Sequence, residues 1–104
     1  MSQYCIHKNI SSSKKSYPFL LDVQSSLLSN LNTRLVIPLS PVESFNNQLI
    51  KNVNILIRIQ NKDYILLTQQ MAAIPEHMLG DEVVCCDDQR HDILGCIDFL
   101  ITGF

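Results

Sequence analysis

Apolar and polar residues alternate from Tyr4 to Lys8, with Tyr4 and Ile6 on one face and Cys5 and His7 on the other, a period of two that predicts an opening strand. The run Asn9 to Ser16 is polar apart from Ile10 and holds Ser11, Ser12, Ser13, Lys14 and Lys15, so it predicts a mobile hairpin connection. Tyr17 to Gln24 is aromatic and aliphatic enough for a second strand, and Pro18, which lacks an N–H, confines it to a strand start or an edge. Ser25 to Thr33 shows no regular period and reads as a loop. Its Leu27, Leu28 and Leu31, if exposed, are contact candidates.

Arg34 to Leu39 is a short apolar run with β-branched centres, predicting a buried strand closed by Pro38 and Pro41. A short helical turn is expected within Ser40 to Leu49. Val53 to Gln60 puts Val53, Ile55, Ile57 and Ile59 on one face. An Asn61-Lys62-Asp63 turn then leads into Tyr64 to Gln70, the clearest hairpin in the chain. Met71 to Gly80 is interrupted by Pro75 and Gly80, and Glu82 to Val84 reads as a brief edge strand.

The period then changes. A helix is expected over about 87–102, with Asp87 or Asp88 as N-cap, where an acidic side chain also suits the positive end of the helix dipole. At 100° per residue Ile93, Leu94, Cys96, Ile97, Leu100 and Ile101 share an apolar arc, while His91, Gly95, Asp98 and Thr102 fall on the other side and Phe99 flanks them. Gly95 costs such a helix about 1 kcal/mol relative to Ala, which a close approach by another backbone would explain. Gly103 suits a left-handed C-terminal cap, and Phe104 follows it.

At 104 residues, 46% of them hydrophobic, the chain has the size and apolar content of one small domain, spanning 1–104, that gains from a partner subunit. No apolar run approaches the roughly 18 residues a membrane span needs, and a cytoplasmic protein is expected. The net charge of -2 is uneven. Lys8, Lys14, Lys15, Arg34, Lys51, Arg58 and Lys62 lie before residue 76, and seven of the ten acidic residues lie from Glu76 onward. The cations are scattered rather than interleaved with aromatics, so they read as solvated surface charge and not as a nucleic-acid footprint.

Cys5, Cys85, Cys86 and Cys96 form no C-x-x-C pair and predict free thiols rather than a disulfide framework. Cys85, Cys86, His91 and Cys96 lack the two-to-four-residue pairing of structural zinc sites, so no metal is expected there. His7, His77 and His91 fall in different elements. No nucleophile elbow, phosphate loop or zincin motif occurs, and neither a catalytic residue nor a cofactor is expected.

Three stretches point further: F-L-L-D-V-Q-S-S-L-L with T-R-L-V-I-P-L, then L-L-T-Q-Q-M-A-A-I-P, and last I-D-F-L-I-T-G-F. The D-V-Q-S element at Asp22 to Ser25, V-I-P-L at Val36 to Leu39 and M-A-x-x-P at Met71 to Pro75 together resemble the CcdB-type toxins in order and spacing. The resemblance implies a mainly β fold with a C-terminal α-helix, an SH3-like small barrel of the CcdB/MazF toxin type, assembled as a homodimer. It also implies a non-enzymatic toxin of a toxin–antitoxin module that binds the A subunit of DNA gyrase, traps the cleaved-DNA complex, and touches neither nucleic acid directly nor a membrane. The cognate antitoxin would wrap the toxin through a flexible C-terminal tail.

Carried over position by position, the gyrase contacts are Thr102, Gly103, Phe104, Asp98, Gln3, Tyr4, Ser25, Leu27 and Leu28, and Lys14 and Lys15 fall where the family meets its antitoxin. Familiar members end in Trp-Gly-Ile. Here Thr102 stands in the aromatic position and Phe104 in the aliphatic one, and Asp98 replaces an Asn. A MazF-like endoribonuclease, or a non-poisonous relative that only binds antitoxin, is the alternative. The first would need a basic groove and an acid/base pair, which a chain of net charge -2 without a catalytic set does not offer.

Overall fold

The chain forms seven strands of one antiparallel sheet, in a computed structural model that describes residues 3–44 and 49–103. They are β1 (Cys5–Asn9), β2 (Phe19–Asp22), β3 (Thr33–Pro41), β4 (Leu56–Ile59), β5 (Lys62–Leu66), β6 (Ala72–Pro75) and β7 (Leu79–Cys85), followed by helix α1 (Arg90–Thr102). The strand order is β4-β5-β3-β2-β1-β7, with β6 added to β3. The sheet curls into a half-barrel around Ile6, Leu21, Ile37, Leu39, Ile57 and Leu66, and α1 closes it with Ile93. This is the expected fold class. The expected turn within Ser40 to Leu49 is a 3-10 segment at Val42–Ser44, and the rest of that expectation falls partly on 45–48, outside the described residues.

Pro38 does not close β3 as expected but lies inside it. The pairs Leu21–Ile37 and Phe19–Leu39 alternate with Leu20–Pro38 along β2. The Pro38 carbonyl turns the other way and accepts from Leu67 N–H at 2.9 Å. On that side β3 pairs with β6 through Val36 and with β5 only from Leu39, so the missing N–H of Pro38 falls at the step between two partners.

The β4–β5 turn sits one residue earlier than the pattern suggested. Gln60 and Asn61 both take positive φ, 52° and 66°, the pair of left-handed residues a two-residue hairpin turn needs. The β1–β2 connection is pinned rather than free. Asn9 Oδ1 accepts from Ser11 N–H and Oγ–H at 2.9 and 2.6 Å, and Asn9 Nδ2 donates to Tyr17 O at 2.7 Å.

Arg34 is not a surface cation. It is 1% exposed and pairs at 2.7 Å with Asp22, which is fully buried. Nor are all four cysteines free: Cys5 and Cys85 face each other across β1 and β7 and are joined by a disulfide, which leaves Cys86 and Cys96 as buried thiols. The residues are 80 apart in sequence, so only the strand register brings them together.

Asp87 and Asp88 lie in a 3-10 turn, Asp87–Gln89, ahead of the helix. Gln89 takes the N-cap position without a side-chain cap bond. At the other end Gly103 has φ 82° and its N–H meets Phe99 O at 2.9 Å, as its position predicted. Of the apolar arc, Ile93 and Cys96 are buried, whereas Leu94, Leu100 and Ile101 are exposed. Among the described residues, and leaving aside its own helical turns, nothing lies within 4 Å of a Cβ built on Gly95, so none of them brings a second backbone against it.

Candidate partner-binding site

The residues matched to a gyrase contact fall into two groups on different elements. Gln3 and Tyr4 lead into β1, and Ser25, Leu27 and Leu28 form the connection after β2. Gln3 and Tyr4 are tied to Asp22 and Val23, the residues that lead into this connection. Gln3 Nε2 donates to Val23 O at 3.1 Å, Tyr4 N–H to Asp22 O at 2.6 Å, and Ser25 Oγ caps the 3-10 turn Ser26–Leu28 by accepting from Leu27 N–H at 3.2 Å. Tyr4, at φ 66°, is buried in the core, so its ring serves packing and little of it faces a partner. Leu27 stands out by contrast, 91% exposed, with Leu28 and Leu31 exposed beside it, as the loop reading anticipated.

A buried polar chain holds that leucine turn. Arg34 Nε donates to Asp22 Oδ2 at 2.9 Å, and Asp22 Oδ1 accepts Gln24 N–H at 3.0 Å. Gln24 Nε2 then donates to Leu28 O at 3.0 Å while its Oε1 accepts Leu35 N–H. Sequence reasoning missed this arrangement, because a lone Arg and a lone Asp twelve residues apart carry no signature. The charges are inside and the hydrophobes outside, the reverse of the usual distribution.

The second group is the end of α1. Asp98, Thr102 and Gly103 are exposed, and Thr102 Oγ1 donates to Asp98 O at 2.6 Å. Phe104, expected to complete this group, lies outside the described residues. At 100° per residue Ile101, Leu94, Asp98 and Thr102 follow one another over about 100° of the helix circumference, a mixed stripe of two apolar and two polar side chains. Asp98 also borders an open groove of about 650 Å³ whose lining includes Ile55, Phe99 and Gly95.

The two groups are not adjacent along the helix. Cys86 N–H bonds to Tyr4 O at 2.7 Å, so the lead-in to α1 touches the first group. The helix is 13 residues long, which at about 1.5 Å each carries its last turn some ~20 Å from its start. Lys14 and Lys15 form a third location, exposed in the β1–β2 connection.

Candidate chemistry is sparse among the described residues. His7 is packed, and its Nδ1 lies 3.0 Å from Gly80 O; because a carbonyl only accepts, Nδ1 carries the proton and the buried Nε2 has no partner. His77 and His91 are exposed on separate elements. Burial pushes the Cys86 thiol up to about 11, helped by Asp88 and Asp87. Burial raises Cys96 too, with Thr68 hydrogen bonding acting against it and Asp92 with it. Both sulfurs are therefore thiols rather than nucleophilic thiolates at neutral pH.

The sign for stability follows from the protonated form being favoured in the fold. The Cys86 contribution is whole below the ordinary thiol value of 9.0 and is lost as pH rises toward 11. Urea unfolding should therefore show wild type losing stability between pH 9 and 11 relative to Cys86→Ala, with the difference flat below pH 8. A difference that grew on acidification would contradict the assignment.

No helix among the described residues is long and apolar enough to cross a membrane. Among solved structures the chain is similar to Mycobacterium tuberculosis toxin MazF-mt6, with a TM-score of 0.71 and 14% identity over 92% of this chain and 94% of that one, a likeness of fold. The family model for CcdB protein matches residues 3–103, nearly the whole chain and every strand and helix described above, and the chain therefore belongs to the CcdB family, toxins of toxin–antitoxin modules.

Proposed function

We propose that this toxin works without catalysis: as a homodimer in the bacterial cytoplasm it binds the A subunit of DNA gyrase and traps the cleaved-DNA complex, until a cognate antitoxin removes it. The reading takes residues 1–104 as one toxin domain. The observation that carries it is the stripe at the end of α1, where Asp98 and Thr102 stand exposed next to Leu94 and Ile101, on a helix whose opposite side is committed to the core. Thr102, Gly103 and Phe104 act as the poisoning end, with Asp98 beside them. Gln3, Ser25, Leu27 and Leu28 supply a second contact surface, and Tyr4 supports it from within. Two copies related by a two-fold axis would present matching stripes to the two-fold gyrase A dimer. Lys14 and Lys15 meet the antitoxin tail.

The test is a gyrase supercoiling assay scored for stabilised double-strand cleavage, run with the intact chain and with Gly103 and Phe104 deleted. Cleavage with the intact chain, lost on truncation while the circular dichroism spectrum and antitoxin binding are kept, is the expected result. A truncated chain that still poisons gyrase would overturn the terminal contact. Folded protein that cleaves RNA instead would favour the ribonuclease reading, and antitoxin binding alone would favour a non-poisonous relative.

A further inference from the structure

The cysteines that the fold pairs lie outside the partner-binding site, and they do not stand alone. The sulfur of Cys5, the sulfur of Cys85 and a carboxylate oxygen of Glu82 all lie within 4.8 Å of one another. We infer that, with its disulfide reduced, this outer corner of the β1–β7 ladder is a zinc site held by Cys5, Cys85 and Glu82.

The strand register builds the set. On a regular strand, residues three apart face opposite sides, so Glu82 and Cys85 should not meet. Here Ile6 pairs with Val84 but His7 with Glu82, which leaves Val83 as an extra residue in β7 and brings Glu82 back to the side of Cys85. Val83 packs against the core in its place. Cys5 lies directly opposite Cys85, with Cα atoms 3.9 Å apart, so the two side chains leave the sheet side by side. Two thiolates at about 2.3 Å from a tetrahedral zinc ion are about 3.8 Å apart, close to the 3.9 Å between the two Cα atoms, as side chains leaving the sheet side by side would hold them.

The chemistry favours this cation. Two thiolates and a carboxylate suit zinc rather than magnesium or calcium, and three protein ligands leave the fourth position to water. Cys5 is buried, while Cys85 and Glu82 are exposed, so the site has a fixed base and an open mouth. Cys86 is not a fourth ligand, since its side chain belongs to the core on the opposite face. Loading balances in two steps. A dithiol reductant gives two electrons and two protons to the Cys5–Cys85 bond and is itself left as a disulfide. Zinc then binds both sulfurs and releases both protons.

The experiment titrates zinc chloride into the reduced full-length chain under inert gas against a chromophoric chelator, and repeats the titration with air-oxidised protein, Cys85→Ser and Glu82→Gln. The expected result is one zinc per reduced chain and none for the oxidised chain. Cys85→Ser should lose more than the 10–100-fold that removal of an outer-shell partner costs, and Glu82→Gln should lose less than Cys85→Ser. A second readout does not depend on the variants folding: zinc should slow alkylation of Cys5 and Cys85 in wild type and leave Cys86 and Cys96 unchanged. Reduced, folded protein that takes up no zinc would overturn the proposal. So would uptake that Cys85→Ser leaves intact, or alkylation that zinc does not slow at either residue.

Discussion

Asp22→Ala should destabilise the fold by about 3–5 kcal/mol, because it strands the Arg34 guanidinium in a site where only 1% of its side chain reaches solvent. The carboxylate accepts from Arg34 Nε and from Gln24 N–H, so its removal leaves both a buried charge and an unpaired amide. Against a typical total of about 5–15 kcal/mol, that loss is a large share of the stability. The double variant Asp22→Ala/Arg34→Met should recover much of it, since an apolar replacement leaves no charge to solvate. Urea unfolding followed by circular dichroism measures both. A single variant within about 1 kcal/mol of wild type would mean that water reaches the guanidinium. The same chain of bonds ends on Leu28 O, so a recovered double variant has a second use: if Leu27 and Leu28 contact gyrase, it should be stable yet bind less well, because Gln24 loses the partner that orients it.

Ile93→Ala should cost about 2–5 kcal/mol, the usual range for emptying a fully buried aliphatic site. Ile93 is 0% exposed and joins α1 to the main core, whereas Ile101 on the same helix is 71% exposed. Ile101→Ala should therefore stay within about 0.5 kcal/mol in the isolated chain. The contrast carries information about assembly. If a second copy covers the outer stripe, the Ile101→Ala cost will grow with protein concentration, since stability and association are then linked. Denaturation at several concentrations separates the two, and a large, concentration-independent Ile101→Ala effect would mean that the stripe is covered by the chain itself.

The elements legible in the sequence were those whose periodicity runs undisturbed. Ile57 and Ile59 alternate with exposed Leu56 and Arg58 and are buried as that pattern required, although β4 begins only at Leu56, so that Val53 lies in the turn before it and Ile55 is half-buried, and the helical period from Ile93 onward located α1 and its Gly103 cap. Elements with a broken pattern were not legible. Strand β6 is Ala-Ala-Ile-Pro, paired on one side only to β3, and shows neither alternation nor a β-branched run. The pattern predicts only three residues of β7 because Val83 shifts the period in its middle. Pro38 looked like an end because the exemption it enjoys depends on two strands meeting at one position of a third.

The candidate site was legible to a similar degree. The helical period separates Asp98 and Thr102 from the core, and the structure leaves both exposed. Leu27 and Leu28 could be picked out as unperiodic leucines, and they too are exposed. Tyr4 could not be placed, because its alternation with Cys5 says which face it shares but not that the face is fully covered. The Arg34–Asp22 pair and the Cys5–Cys85 bond were beyond reach, since each depends on register between strands that sequence alone does not align.

The position of β1 bears on synthesis. Its first partner, β2, begins at Phe19, but its second, β7, ends at Cys85, and the helix that seals the core comes later still. A chain emerging from the ribosome therefore carries one edge of β1 unpaired until β7 has been made. Neither the stripe on α1 nor the Ile93 contact that closes the core exists before then, so a product interrupted ahead of β7 would be an unfinished sheet, open to proteolysis and lacking the helix on which the proposed gyrase contact depends.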